Sequence, residues 1–303
     1  MKNLSIVFVT LAALGWGLSG GIGGILMDNE WSPYLVSFYR GAVGLVFVFI
    51  WLLLRPGDSG LSNPKLWFWS LIAGLAVAGN FTFYFLSIEK SSVAVAATLM
   101  YSAPVFVYLV SFTLGLEKST PKKWVAIAIV MLGIVLLTQI YDTGASDLNL
   151  LGVGAGLLAG LSYAAFIFGF KYAAPHGSPQ AILSIAFTVL VIFLVWPSEI
   201  NDVIAVIYSP DWLLFLVLGV LGAGLTFILY IIGLNYTAPA VASIVAMIEP
   251  VTASLFGVFI LSESLAGLQI LGMVLILLTV TALSVYSSLG SYNNLPETNR
   301  RDS

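Results

Sequence analysis

Few residues in this sequence could do chemistry, and the central ones stand alone in apolar surroundings. Glu249 is the single carboxylate of VASIVAMIEPVTASLFGV (Val241 to Val258) and is followed directly by Pro250. Arg40 is equally isolated in FYRGAVGL, Phe38 to Leu45. Other apolar runs carry Trp16 among glycines in GWGLSGGIGG, and Asn80, Tyr84 and Ser87 at helical spacing i, i+4 and i+7. Tyr101, with Thr98 and Ala97 on its face, Tyr163 after GVGAGLLAG, and the pair Thr226 and Tyr230 complete the set. An isolated carboxylate can exchange a proton or hold a cation, or it can be a structural acid that closes a helix break. A guanidinium can snorkel to the interface, pair with an acid or anchor a ligand carboxylate. Aromatic faces hold an apolar body while amides and hydroxyls orient its polar groups.

The chain that must position these residues is a membrane chain. It has 303 residues, 60% of them hydrophobic and 8% charged, with a mean hydropathy of +1.05. A soluble domain of this length needs far more charge to cover its surface. Continuous apolar runs of about twenty residues recur, each long enough for a ~30 Å hydrocarbon core. Runs without alternation point to helices. Ten spans are predicted, at about 5–27, 34–54, 66–88, 92–115, 124–140, 150–172, 180–197, 212–234, 238–261 and 268–286. Polar connections such as RPGDSGLSNPK and EKSTPKK join them. The segment 291–303 is read as a disordered cytoplasmic tail. Lys2 before an apolar stretch fits a cleaved signal peptide weakly, and no small-residue cleavage site closes it, so the first span is expected to remain.

Of the 11 Lys and Arg residues, nine fall on one side of the predicted spans, Lys90 on the other and Arg40 within a span. The basic side is the cytoplasmic one, which places both termini in the cytoplasm; the expected location is the plasma membrane, as a multi-pass protein of a bacterial inner membrane. Glu249 then lies eleven residues after Ala238 and twelve before Leu261, near mid-membrane, where an ionisable group faces protein or a wet cavity. Pro250 removes a backbone donor there and loosens the helix.

Sliding the sequence by 146 residues aligns its halves without gaps. Ser32-Pro33 falls on Ser178-Pro179, Ala94-Val95-Ala96 on Ala240-Val241-Ala242, Pro104-Val105 on Pro250-Val251, and Glu117 on Glu263. Asn80 and Tyr84 fall on Thr226 and Tyr230. Five spans per half is an odd number, so the halves must be inverted relative to each other, a recurring design of secondary transporters. The predicted fold is an all-α membrane protein of ten transmembrane helices in two inverted five-helix repeats, 1–144 and 148–290.

These residues resemble the drug/metabolite transporter superfamily with paired EamA-type domains. The resemblance rests on FYRGAVGL, on SSVAVAATLMYSAPVFVYLVSFTLGLE (Ser91 to Glu117) and on its echo APAVASIVAMIEPVTASLFGVFILSE (Ala238 to Glu263). Each of the last two is a small-residue helix with a central proline, closing on a Glu. The resemblance covers the chain to about Tyr286 and implies export or exchange of small metabolites, amino-acid-like or amphipathic, by alternating access. It also implies that helices 1, 3, 4, 6, 8 and 9 line a central cavity. Substrate-binding residues are therefore expected at Trp16, Asn80, Tyr84, Tyr101, Tyr163, Thr226 and Tyr230. Glu249 is the candidate for proton coupling or cation binding, while Pro104, Pro250 and Arg40 are expected to be structural or hinge residues.

Other readings are weaker. Gly15-x-Gly17-x-x-Gly20 matches a dinucleotide fingerprint by letter, but no strand precedes it. Gly152, Gly156 and Gly160 form a small-residue ridge suited to helix packing. His176, the only histidine, sits in a connection without partners for a metal site, and the absence of cysteine removes thiolate chemistry. An intramembrane enzyme would need a catalytic pair, and a receptor-like protein would not need inverted symmetry. No catalytic residue, metal or cofactor is expected. The expected partners are a small-molecule substrate and the lipid bilayer, without nucleic acid, for a monomer or homodimer.

Overall fold

The computed structural model describes residues 4–57, 59–144, 149–196 and 200–293, with side chains described through residue 283. Among the described residues the regular structure is entirely helical. The first half comprises α1 (Ser5–Asp28), α2 (Pro33–Leu54), α3 (Pro64–Lys90), α4 (Val93–Met100), α5 (Ala103–Thr113) and α6 (Pro121–Thr138). The second comprises α7 (Leu150–Ala173), α8 (Pro179–Val195), α9 (Ile200–Tyr208), α10 (Trp212–Gly219), α11 (Thr226–Tyr236), α12 (Pro239–Ala246), α13 (Ile248–Ile260) and α14 (Gly267–Asn293). Eight helical segments are long and apolar enough to cross a membrane. The helix α8 is shorter, at 17 residues. Of the tail read as disordered, residues 291–293 continue α14, and 294–303 lie outside the described residues.

The structure departs locally from the predicted spans at four places, two of them caused by proline. The span predicted at 92–115 is two helices, because Pro104 has no N–H to offer the carbonyl of Met100, the last residue of α4. Pro250 stands in the same relation to Ala246, the last residue of α12. The linking residues Tyr101 (φ −73, ψ 2) and Met247 (φ −70, ψ 2) share one conformation and lie 146 residues apart. The eighth span widens into a π-helical stretch at Val220–Leu225, between α10 and α11. The connection after α8 contains a further short helix, α9, whose apolar residues Ile200, Ile204 and Ile207 are exposed.

Small residues set the helix contacts. A Cβ on Gly160 would meet the carbonyl of Leu99 at 2.7 Å, and one on Gly17 the carbonyl of Glu249 at 2.5 Å. The interrupted helices α4–α5 and α12–α13 are therefore crossed at their breaks by α7 and α1 respectively. The helix α3 packs along α7, α1 along α11, α2 against α8, and α6 against α14. At one end of the bundle, Asn29 and Trp31 donate to Asp211 at 3.0 and 2.8 Å. At the other end, Lys171 Nζ donates to the carbonyls of Leu234, Asn235 and Thr237 at 2.7, 3.0 and 2.9 Å, satisfying groups the C-terminus of α11 leaves open. Gly60, at φ +75, lets the α2–α3 connection lie against the His176 carbonyl.

Candidate functional site

The break between α12 and α13 puts Glu249 in the first turn of α13. There its carboxylate meets the positive end of a helix dipole and looks into a cavity of about 200 Å³ enclosed by α1, α2, α3, the α4–α5 break, α7 and α11. The cavity runs from Glu249 towards the α1–α2 connection, where Met27 and Pro33 form its rim. The Tyr163 hydroxyl donates to Glu249 Oε2 at 3.3 Å, and Tyr101 interacts with the same carboxylate. Tyr84 stands on the facing wall beside Asn80, whose amide donates to the Ala159 carbonyl at 2.9 Å.

Arg40 lines the same cavity. Its Nη2 donates to the Gly222 carbonyl at 3.2 Å, in the π-helical stretch, and its guanidinium lies 5.7 Å from the centre of the Phe81 ring. The same carbonyl accepts from the Thr226 hydroxyl at 2.8 Å. Among the described residues Arg40 makes no ion pair with Glu249 within 4.0 Å. One cavity thus presents a guanidinium and a carboxyl group that make no direct ion pair.

The floor is aromatic. Trp16 packs on Phe227 (ring centres 4.9 Å apart) and Tyr230 (4.8 Å), while Tyr163 packs on Phe166 (4.4 Å). Five of the seven residues expected to bind substrate line the cavity: Trp16, Asn80, Tyr84, Tyr101 and Tyr163. Two do not. Thr226 is turned into its own helix, its hydroxyl donating to the Gly222 carbonyl at 2.8 Å, and Tyr230 is sealed beneath Trp16 with no exposed surface. Pro104 and Pro250 are buried at the two helix breaks. Sequence reasoning passed over Ser19, Ser37 and Phe81, and gave Arg40 a structural role. Ser37 and Arg40 are one helical turn apart on α2, and that spacing is the signal that could have found them.

Comparison with known proteins agrees with this architecture. The EamA-like transporter family matches the chain twice, over residues 3–139 and 150–285. The chain belongs to the EamA-like transporter family. It is therefore a multi-pass membrane protein of a transporter family. A transporter of Bacillus subtilis, YwfM, is 24% identical over 93% of this chain and 94% of its own. A transporter of Archaeoglobus fulgidus is 31% identical over 68% of this chain and 73% of its own. The threonine/homoserine exporter RhtA of Salmonella typhimurium is 26% identical over 67% of this chain and 66% of its own. A crystal structure at 18% identity shares the fold, with a TM-score of 0.72 over 95% of this chain and 97% of the other.

Proposed function

We propose that this EamA-family protein exports small amino-acid-like metabolites across the bacterial inner membrane, taking a zwitterion between Arg40 and Glu249. The observation that carries this reading is a guanidinium and a carboxyl group lining one aromatic-floored cavity without a direct ion pair between them. Arg40 would hold the substrate carboxylate, while Glu249, with Tyr163 and Tyr101, would hold the ammonium group. The side chain would rest on Trp16 and Phe166, with Asn80 and Tyr84 closing the opposite wall. The RhtA relative, an amino-acid exporter by name, supports the substrate class.

Alternating access follows from the internal symmetry. The shared break at Tyr101 and Met247, and the packing of α1 on α11 as α7 packs on α3, support two inverted five-helix repeats, 1–144 and 148–290. Ten transmembrane helices with both termini cytoplasmic is the arrangement consistent with the Lys and Arg distribution. In this arrangement the cavity faces outward. A proton and an ammonium group would compete for Glu249, so each excludes the other, which is the requirement for exchange.

The test is uptake into liposomes under an imposed pH gradient. Gradient-driven flux of a zwitterionic amino acid is expected, with little flux of its decarboxylated amine or its deaminated acid. In Glu249→Gln, gradient-driven flux should disappear while equilibrium exchange survives only at higher substrate concentration, because the amide keeps an acceptor for the ammonium group but not the charge. Equal flux of all three compounds would refute the zwitterion site, and an unchanged gradient response in Glu249→Gln would make the acid structural.

A further inference from the structure

Shifting the cavity wall by the 146-residue repeat gives its counterparts in the second half. Met27 maps to Ala173, Ser37 to Leu183, Arg40 to Ala186, Asn80 to Thr226 and Tyr84 to Tyr230. All five counterparts are sealed, with exposures of 0 or 1%. Among them the Tyr230 hydroxyl is buried without a hydrogen-bond partner among the described residues, as is the indole Nε1 of Trp16 beside it. Buried polar groups are normally paired, and a Tyr230 hydroxyl left unpaired here would gain a partner if another arrangement of the helices wetted it.

The two repeat-related glutamates differ in the matching way. The backbone amides of Glu117 and Glu263 make equivalent bonds, to the carbonyls of Ser111 at 3.3 Å and of Gly257 at 3.1 Å. Their side chains part company. Glu117 Oε1 accepts from the Ala240 amide in the first turn of α12 at 3.2 Å, and its other oxygen binds Lys123. This ties the end of α5 to the start of α12 at the end of the bundle away from the cavity mouth. Glu263 is exposed and folded over Gly257. Its repeat-related target, the Ala94 amide in the first turn of α4, lies at the open end.

We propose that the bundle encloses a second vestibule, sealed here, lined by Ala173, Leu183, Ala186, Thr226 and Tyr230, and that the Glu117 to Ala240 bond is the latch that holds it shut. Opening it breaks that bond, wets the Tyr230 hydroxyl, and lets Glu263 close on Ala94 to seal the present cavity. The vestibule takes the same substrate from the opposite side and lacks the guanidinium, since Ala186 stands where the first half has Arg40. The proposal rests on the alternating-access reading and adds the residues that exchange.

Because the chain has no cysteine, single cysteines report each side directly. Ser37→Cys reads the open cavity, and Leu183→Cys, with Ala186→Cys as a smaller change, reads the sealed vestibule. A membrane-impermeant thiol reagent is applied to each face of vesicles without substrate. Ser37→Cys, 5% exposed at the cavity wall, is expected to label from the cavity side faster than the vestibule positions, which also reports a folded protein. Leu183→Cys is expected to label slowly from the other side. Glu117→Ala should speed that labelling by about tenfold or more, the factor for one hydrogen bond to a charged group. Glu117→Gln, which keeps an acceptor for Ala240, should fall well below the alanine variant. Glu263→Ala should slow the labelling several-fold. Vestibule labelling that ignores both glutamates overturns the latch and leaves alternating access standing. If neither vestibule cysteine labels in any variant while Ser37→Cys does, alternating exposure itself fails.

Discussion

Replacing Tyr230 with Phe removes one oxygen atom and tests how the proposed alternation divides stability between two states. The ring is fully enclosed against Trp16 and Phe166, and the hydroxyl has no partner among the described residues. A buried unpaired hydroxyl is unfavourable by about 1–3 kcal/mol. Its loss also removes a few dispersion contacts of about 0.1–0.2 kcal/mol each. The net expectation is a stabilisation of the present state of about 1 kcal/mol, roughly fivefold in a two-state population. Tyr230→Phe should therefore unfold at higher temperature in detergent than the parent protein. It should also label about fivefold more slowly at Leu183→Cys, since the opposite state loses a hydroxyl it would hydrate. Turnover should fall with the labelling rate. A Phe variant less stable by 1 kcal/mol or more would refute the reasoning, because the hydroxyl would then have to be satisfied in this state.

Three further outcomes are expected. Lys171→Met should lower stability by about 2–4 kcal/mol in denaturant unfolding, because three carbonyls lose one charged donor. Gly160→Val should reduce stability by about 1–3 kcal/mol or more, since its Cβ would lie 2.7 Å from the Leu99 carbonyl. Gly154→Ala on the same helix, with nothing within 4 Å of the added carbon, should be neutral or gain up to about 1 kcal/mol; a thermal-unfolding comparison of these two glycines separates close approach from helix propensity. Arg40→Lys should keep the cavity's charge yet weaken binding of a zwitterionic amino acid about tenfold in equilibrium titration, because an ammonium cannot hold both the Gly222 carbonyl and a carboxylate in the fork geometry.

Much of the fold was legible in the sequence because a bilayer restricts a chain severely. Apolar runs of spanning length must be helices, so the positions of α1, α2, α3, α6 and α7 follow from hydropathy within a few residues. The break at Tyr101 is written in Pro104, and that at Met247 in Pro250, because a missing donor at one position frees a carbonyl four residues back. Glu249 stood out because an ionisable residue in such a run needs a reason. Local sequence did not determine which of two matching positions in the halves lines the cavity. Tyr84 and Tyr230 occupy equivalent positions in their repeats, yet one lines the cavity and the other is sealed beneath Trp16. Arg40 likewise is held at the cavity by a carbonyl 182 residues away, in a π-helical stretch that apolar spacing does not encode. Hydropathy and backbone chemistry act within a few residues and so set each helix and each break. Whether a side chain meets water or another helix depends on how two near-equivalent halves lean on each other, and that is decided only when all the helices pack at once.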